Sequence, residues 1–225
     1  MVTHTIGRVD NLVALQRILI SVSDKTGLEK LAPSLVQNCP DIEILSTGGT
    51  FRALQELLPG FDGLRDVASY TGSPETDGGL VKTLDYKLYL GILGEAHNPH
   101  HQQDRERSGA GLIDAVVVNL YPFKQAVAEA PENVEQGRGN IDIGGVTLLR
   151  AAAKNYLRVA VLSSPGQYEG LADELASHRG VTSLSYRAGL AQQAFTVTAA
   201  YDAAISDWFV GKAATELAEG YLSNG

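Results

Sequence analysis

The stretch 140–155, NIDIGGVTLLRAAAKN, sets a carboxylate and two glycines ahead of a strong helix former that closes on an arginine and a lysine. Glycines let backbone come close to a ligand, and the unpaired N–H groups of a helix's first turn hold negatively charged oxygen. Asp142 sits beside that turn, with Ile143 and Gly144 next to it, and Lys154 offers an acid or a cation. A capped core helix fits the same pattern, with Asp142 near the cap and Val146, Leu148, Leu149 and Ala152 buried.

Two other turns carry similar chemistry. Ser21, Ser23, Asp24, Lys25 and Thr26 follow the run RILISV, so hydroxyls, N–H groups and one ammonium converge where a strand turns into a helix. That suits a phosphate, and it equally suits a simple helix cap. Ser46, Thr47, Gly48, Gly49 and Thr50 repeat the arrangement after the next strand. Two such turns from one sheet favour a ligand. Neither is a P-loop or a dinucleotide fingerprint, because the glycine spacing and the P-loop lysine are absent.

Further along, Lys82 and Thr83 follow Gly78 and Gly79, where a solvated loop lysine is the alternative to a functional one. Asn119, Leu120 and Tyr121 end a valine-rich run; the tyrosine either packs or uses its hydroxyl to donate or relay a proton. His97, His100 and His101 lie in the polar segment 94–110, which reads as an exposed connection without the spacing of a metal site. No serine-elbow motif or hydrolytic triad is present.

The elements that must position these residues alternate. RILISV precedes an amphipathic stretch 26–36, residues 42–45 precede a helix carrying Phe51, Leu54 and Leu57, and residues 113–118 precede Pro122, which suits a helix's first turn. Residues 158–162 supply another strand. Continuous apolar strands alternating with amphipathic helices predict an α/β fold with a mainly parallel sheet flanked by helices, with ligands at the carboxyl ends of the strands. This core is expected over about 17–164, followed by a helical part over about 165–210.

The 225 residues suffice for one substantial domain, and 44% hydrophobic with 20% charged residues is an ordinary globular composition. No apolar run is long enough to span a bilayer, and the N-terminus lacks the pattern of a secretory signal, so a cytoplasmic protein is expected. One cysteine, Cys39, excludes an intrachain disulfide and a multi-cysteine zinc site, and reads as a surface or helix-end residue. The formal charge of −8 argues against a nucleic-acid surface. A small anion held by locally concentrated cations remains compatible.

In order, SVSDKTG, STGGT, VKTL, VVVNLYPF and IDIGGVTLLRAAAKN resemble the inosine monophosphate cyclohydrolase domain of the bifunctional purine-synthesis enzyme. The resemblance covers about residues 17–210, including AFTVTAAYD and SDWF near the end. It implies a methylglyoxal synthase-like fold, homodimerisation, and closure of a formylated aminoimidazole carboxamide ribotide to inosine monophosphate without metal or organic cofactor. It further implies that Ser23, Asp24, Lys25, Thr47, Gly48, Gly49 and Thr50 surround the nucleotide's phosphate and ribose. Lys82, Thr83, Asn119, Asp142 and Ile143 would approach the base, with Gly144 also substrate-binding. Lys82, Tyr121, Asp142 and Lys154 would be the chemical group, with Lys154 first for proton transfer.

The sequence departs from the family pattern where GGLVKTLDYKLYLG stands for the usual DGRVKTLHPKIHGG: Leu80 replaces an arginine, Gly78 an aspartate, and Asp85 and Tyr86 a His-Pro pair. Val197 stands where a histidine is common. The chain ends near Gly225 without a transformylase half, which fits a standalone cyclohydrolase or an excised domain. A noncatalytic nucleotide-sensing module of the same fold, and a phosphate-eliminating lyase of the methylglyoxal synthase type, are the competing readings. A helix from Val146 to Lys154 would rise roughly 12 Å at 1.5 Å per residue, separating Lys154 from the helix start. The substrate spans that gap, the helix breaks, or a dimer partner contributes.

Overall fold

The structure is a computed structural model describing residues 7–74, 81–218 and 221. Among the described residues the main sheet contains β2 (Arg17–Val22), β3 (Glu43–Ser46), β4 (Leu64–Asp66), β5 (Ala115–Asn119) and β6 (Ala160–Leu162). Their order is β4-β3-β2-β5-β6 and every neighbouring pair is parallel. Ile18, Leu19 and Ile20 of β2 and Ala115 and Val116 of β5 have no exposure, because helices cover both faces. The α/β class with a mainly parallel, helix-flanked sheet therefore holds.

Helices follow the strands in the expected alternation. α1 (Leu28–Asn38) buries Leu28, Leu31, Ala32 and Leu35, and α2 (Gly48–Leu57) buries Thr50 and Leu54. The short α3 (Val67–Thr71) and α4 (Tyr86–Leu93) come next. Pro122 is the N-cap of α6 (Phe123–Glu129), and α7 (Val134–Gly139) leads into α8 (Gly144–Lys154), which is unbroken. α9 (Tyr168–Ser177) precedes α10 (Leu184–Phe209), the long C-terminal helix, and α11 (Ala214–Leu217). None of the described helices is long and apolar enough to cross a membrane.

The sequence reading needs correction in three places. Segment 94–110 is not merely a connection, since α5 (Pro99–Ser108) forms there without a buried residue. Its ends, not an apolar stripe, define it: Asn98 Oδ1 accepts from the N–H groups of His100 and His101, Pro99 opens the first turn, and Gly109 closes it in the left-handed conformation. The region after Pro165 is not wholly helical, because β7 (Val181–Ser183) pairs antiparallel with β1 (Leu12–Ala14). Cys39 ends α1 as expected but is buried.

One polar cluster fastens the strand starts together. Asp114 accepts from the N–H groups of Gln16 at 3.0 Å and Arg17 at 2.8 Å, and from Arg158 Nη1 at 2.7 Å. Arg158 Nη2 donates to the carbonyls of Gly91 and Ile113. Both side chains are 9% exposed, so removing one partner strands a buried charge. Asp114→Ala should cost about 3–5 kcal/mol in urea unfolding, and Asp114→Asn, which also removes the charge and turns an NH2 towards one set of donors, nearly as much. A loss below about 1 kcal/mol for both variants would show that the ion pair does not fasten this edge.

Candidate functional site

The carboxyl ends of β2, β3 and β5 meet at one cleft. Val22 and Asn119 are in register at the ends of β2 and β5. Asn119 Oδ1 accepts from the N–H groups of Ser23 at 2.7 Å and Asp24 at 2.9 Å, and its Nδ2 donates to the Asp24 carbonyl at 2.7 Å. Its amide thus moulds the β2–α1 turn. The Asp24 carboxylate turns towards Thr26, whose hydrogen bonds hold its carboxyl below the usual range. Asp24 does not line the cleft, whereas Ser23 and Lys25 do.

The β3–α2 turn forms the adjoining wall. Thr47 is the N-cap of α2 but does not cap it; its Oγ1 lies 3.2 Å from Ser21 Oγ. Thr50 Oγ1 donates to the Val22 carbonyl at 3.0 Å and accepts from the Val22 N–H at 3.1 Å, tying the two turns together. Gly48 has φ of +49°, and a Cβ on it would stand 3.5 Å from Lys82 Nζ. A Cβ on Gly49 would stand 3.7 Å from Lys25 Nζ. Two ammonium groups and the N-terminus of α2 surround one space, and an anion is what all three favour.

The opposite wall is the turn into α8. Asp142 Oδ1 accepts from the Gly145 N–H at 2.7 Å. A Cβ on Gly145 would lie 2.5 Å from Asp142 Oδ2, and one on Gly144 would lie 2.7 Å from Thr83 Oγ1. Each glycine therefore makes room for a neighbouring side chain, Asp142 at Gly145 and Thr83 at Gly144. Burial pushes the Asp142 carboxyl up, against hydrogen bonds from the backbone of Gly145 and Tyr121. Tyr201 of α10 supports the turn: its hydroxyl accepts from the Asp142 N–H and donates to the Asn140 carbonyl, both at 2.9 Å.

The resulting cleft has a volume of about 550 Å³. It brings together Ser23, Lys25, Thr47, Gly48, Gly49, Thr50, Lys82, Thr83, Asn119, Tyr121, Asp142, Ile143 and Gly144. Tyr121 and Ile143 are exposed there, at 49% and 59%, with their side chains open to an incoming molecule. Lys154 is not among the lining residues; it is exposed in the last turn of the intact α8. Gly78, Gly79 and Leu80 lie outside the described residues.

Sequence reasoning missed the support given by Tyr201, although the motif AFTVTAAYD contains it. It also missed Tyr89, which donates to Thr147 Oγ1 at 2.7 Å on α8. Away from the cleft, His97 Nε2 lies 2.5 Å from Asp10 Oδ2, and His101 Nδ1 accepts from the Glu95 N–H. Those histidines stabilise the surroundings of α5. No group of three or more His, Cys, Asp or Glu side chains among the described residues is arranged to hold a metal ion.

Comparison with known proteins agrees with the fold. The model of the MGS-like domain matches residues 27–147, and that of the AICARFT/IMPCHase bienzyme matches residues 152–224. The "Bifunctional purine biosynthesis protein PurH" of Rippkaea orientalis is 48% identical over 193 residues, covering 85% of this chain and 36% of that protein. Its namesake in Leptospira biflexa is 41% identical over 198 residues, covering 88% of this chain and 38% of that protein. The chain thus spans little more than a third of the length of these curated relatives. A solved structure titled "Crystal structure of ForH" superposes with a TM-score of 0.72 at 31% identity, covering 86% of this chain and 98% of that one.

The buried carboxylate gives a test of the site's electrostatics. The folded chain holds the Asp142 proton to higher pH than the unfolded chain, whose ordinary value is 3.8, so stability falls as pH rises through that window. Asp142→Asn keeps an oxygen for Gly145 and carries no charge. Its unfolding midpoint should exceed the parent's at pH 7, and the gain should vanish as pH falls below about 4. A variant no more stable than the parent at pH 7 would contradict a desolvated carboxylate.

Proposed function

This chain belongs to the MGS-like domain family, and we propose that its cleft is the active site of an inosine monophosphate cyclohydrolase. It closes the ring of 5-formamidoimidazole-4-carboxamide ribotide, with loss of water, as the last step of purine synthesis. The observation that carries this reading is the meeting of an anion cradle, at Lys25, Gly48 and Gly49, with a half-buried carboxylate at the start of α8 across the same cleft. A ribotide has a phosphate for the first wall and a reacting base for the second. The working form is a cytoplasmic homodimer.

The reaction asks for help at both ends. The carboxamide nitrogen must form a bond to the formyl carbon, yet its lone pair is delocalised into its own carbonyl. Binding both groups in one oriented molecule removes the entropy cost of their encounter. Asp142, with its carboxyl raised in pKa, accepts the N–H proton as that bond forms. Lys82 and the N–H groups at the start of α8 stabilise the oxyanion that develops on the former formyl oxygen. Tyr121 delivers a proton to that oxygen and Asp142 returns the one it took, so the oxygen leaves as water. One of the two remaining N–H protons passes to the tyrosinate, the other stays on the ring, and the aromatic system is complete.

The length of α8 supports a separate role for Lys154. With no break in the helix, it stands at the far end from Asp142. It serves the cleft of a second protomer, so that each dimer has two shared sites. Thr83 and Ile143 flank the base, Ser23, Thr47 and Thr50 border the phosphate and ribose, and Asn119 and Asp24 shape the turn that carries Lys25.

Purified protein incubated with the formylated ribotide should produce inosine monophosphate, followed by its ultraviolet absorbance, at a rate unchanged by chelator. Lys25→Ala should chiefly raise KM, whereas Lys154→Ala should lower kcat by ~10²-fold or more. Mixing inactive Asp142→Asn and Lys154→Ala proteins in equal amounts, with exchange of protomers, should recover about a quarter of parental activity through one intact site per mixed dimer. No ring closure by the parent would overturn the function. Ring closure without recovery in the mixture would overturn the shared site alone.

A further inference from the structure

A second concavity opens at the other edge of the sheet, where the strands begin, and nothing in the cleft's chemistry uses it. It measures about 500 Å³ and is lined by Arg17, Arg65, Lys87 and Arg105 around Tyr70, with Glu106 on its rim. The four cations come from β2, β4, α4 and α5 and Tyr70 from α3, so the fold gathers the hollow from five elements. Lys87 Nζ lies 4.4 Å from the Tyr70 ring centroid, Arg65 Cζ 5.3 Å and Arg17 Cζ 5.8 Å. Four cations share one hollow in a chain whose formal charge is −8.

Their counter-charges are few. Glu43 pairs with Arg17 and, at 3.3 Å, with Arg65, so one carboxylate is divided between two guanidiniums. Glu106 accepts from Gln102 Nε2 at 2.8 Å and forms no ion pair with the lining cations. Lys87 Nζ donates to the Tyr70 carbonyl at 2.6 Å, a neutral acceptor. Arg105 Nε is buried and has no hydrogen-bond partner. Arg105 forms no ion pair among the described residues, so its charge adds to the one that Glu43 leaves over.

The backbone is cut back to admit these cations. A Cβ on Gly111 would lie 1.8 Å from Arg17 Nη1, so the guanidinium lies directly against the chain there and donates to the Leu112 carbonyl at 2.8 Å. A planar carboxylate is satisfied by one guanidinium fork, whereas a phosphoryl group presents several oxygens to donors converging from different directions. We propose that this hollow is a second anion site, separate from the cleft, that binds a small phosphorylated molecule. The charge left over by Glu43 and that of Arg105 hold its phosphoryl group, and the volume leaves space for the rest of the molecule.

Calorimetric titration of inorganic pyrophosphate into the full chain at low salt tests this directly. The parent should show two classes of site. Arg105→Gln removes a side chain with no hydrogen bond of its own, so the fold should be unaffected, and one class should weaken by ~10-fold or more; Arg65→Gln should weaken the same class. Lys25→Ala should instead remove the other class, which belongs to the cleft. Acetate at equal concentration should not displace the ligand. The proposal is overturned if the parent shows a single class that Lys25→Ala abolishes, if it binds no pyrophosphate, if natively folded Arg105→Gln and Arg65→Gln bind as the parent does, or if acetate competes equally.

Discussion

The arrangement of the cleft depends on the parallel register of β2 and β5, which brings Val22 and Asn119 side by side at their carboxyl ends. From that position one amide binds three backbone groups of the neighbouring turn and fixes where Lys25 starts. Thr50 does the same from α2 by exchanging two hydrogen bonds with Val22. Two turns that would otherwise be loops become one rigid wall. A shift of register by one residue would move every side chain of β2 to the other face and take the cradle apart.

The second wall reflects a different constraint, which is space. Gly144 and Gly145 stand where a Cβ would strike Thr83 or Asp142. Their absence of side chains lets a carboxylate fold over the start of α8, where it accepts from the Gly145 N–H and burial raises its pKa. The arrangement costs stability, because a desolvated carboxylate is unfavourable when ionised. Tyr201 and the edge contact between Phe123 and Tyr201 hold the turn from behind, so α10 is part of the site's support.

Much of this was legible in the sequence because buried parallel strands are continuous apolar runs, and the glycine-bearing turns that follow them announce close approach of backbone. The strands around Ile18, Leu45, Val116 and Val161 follow directly from that signal. α5 did not, because its polar residues have no apolar period and only Asn98, Pro99 and Gly109 mark its ends. β1 and β7 are three residues each and draw their meaning from pairing across the whole chain. The bond from Asn119 to the β2–α1 turn, the support from Tyr201 and the gathering of Arg17, Arg65, Lys87 and Arg105 are likewise products of tertiary structure. For Lys154 the helix rise left three alternatives, and the unbroken α8 removes one of them, the broken helix.

In the proposed function the cleft has a direction, with its anion wall at Lys25, Gly48 and Gly49 and its carboxylate wall at Asp142 and Gly145. A crystal structure of the protein with inosine monophosphate measures that polarity most directly. The phosphate should contact the first turn of α2 and Lys25, and the purine edge should lie against Asp142, Thr83 and the start of α8. A nucleotide bound in the reverse direction, or outside this cleft altogether, would contradict the account.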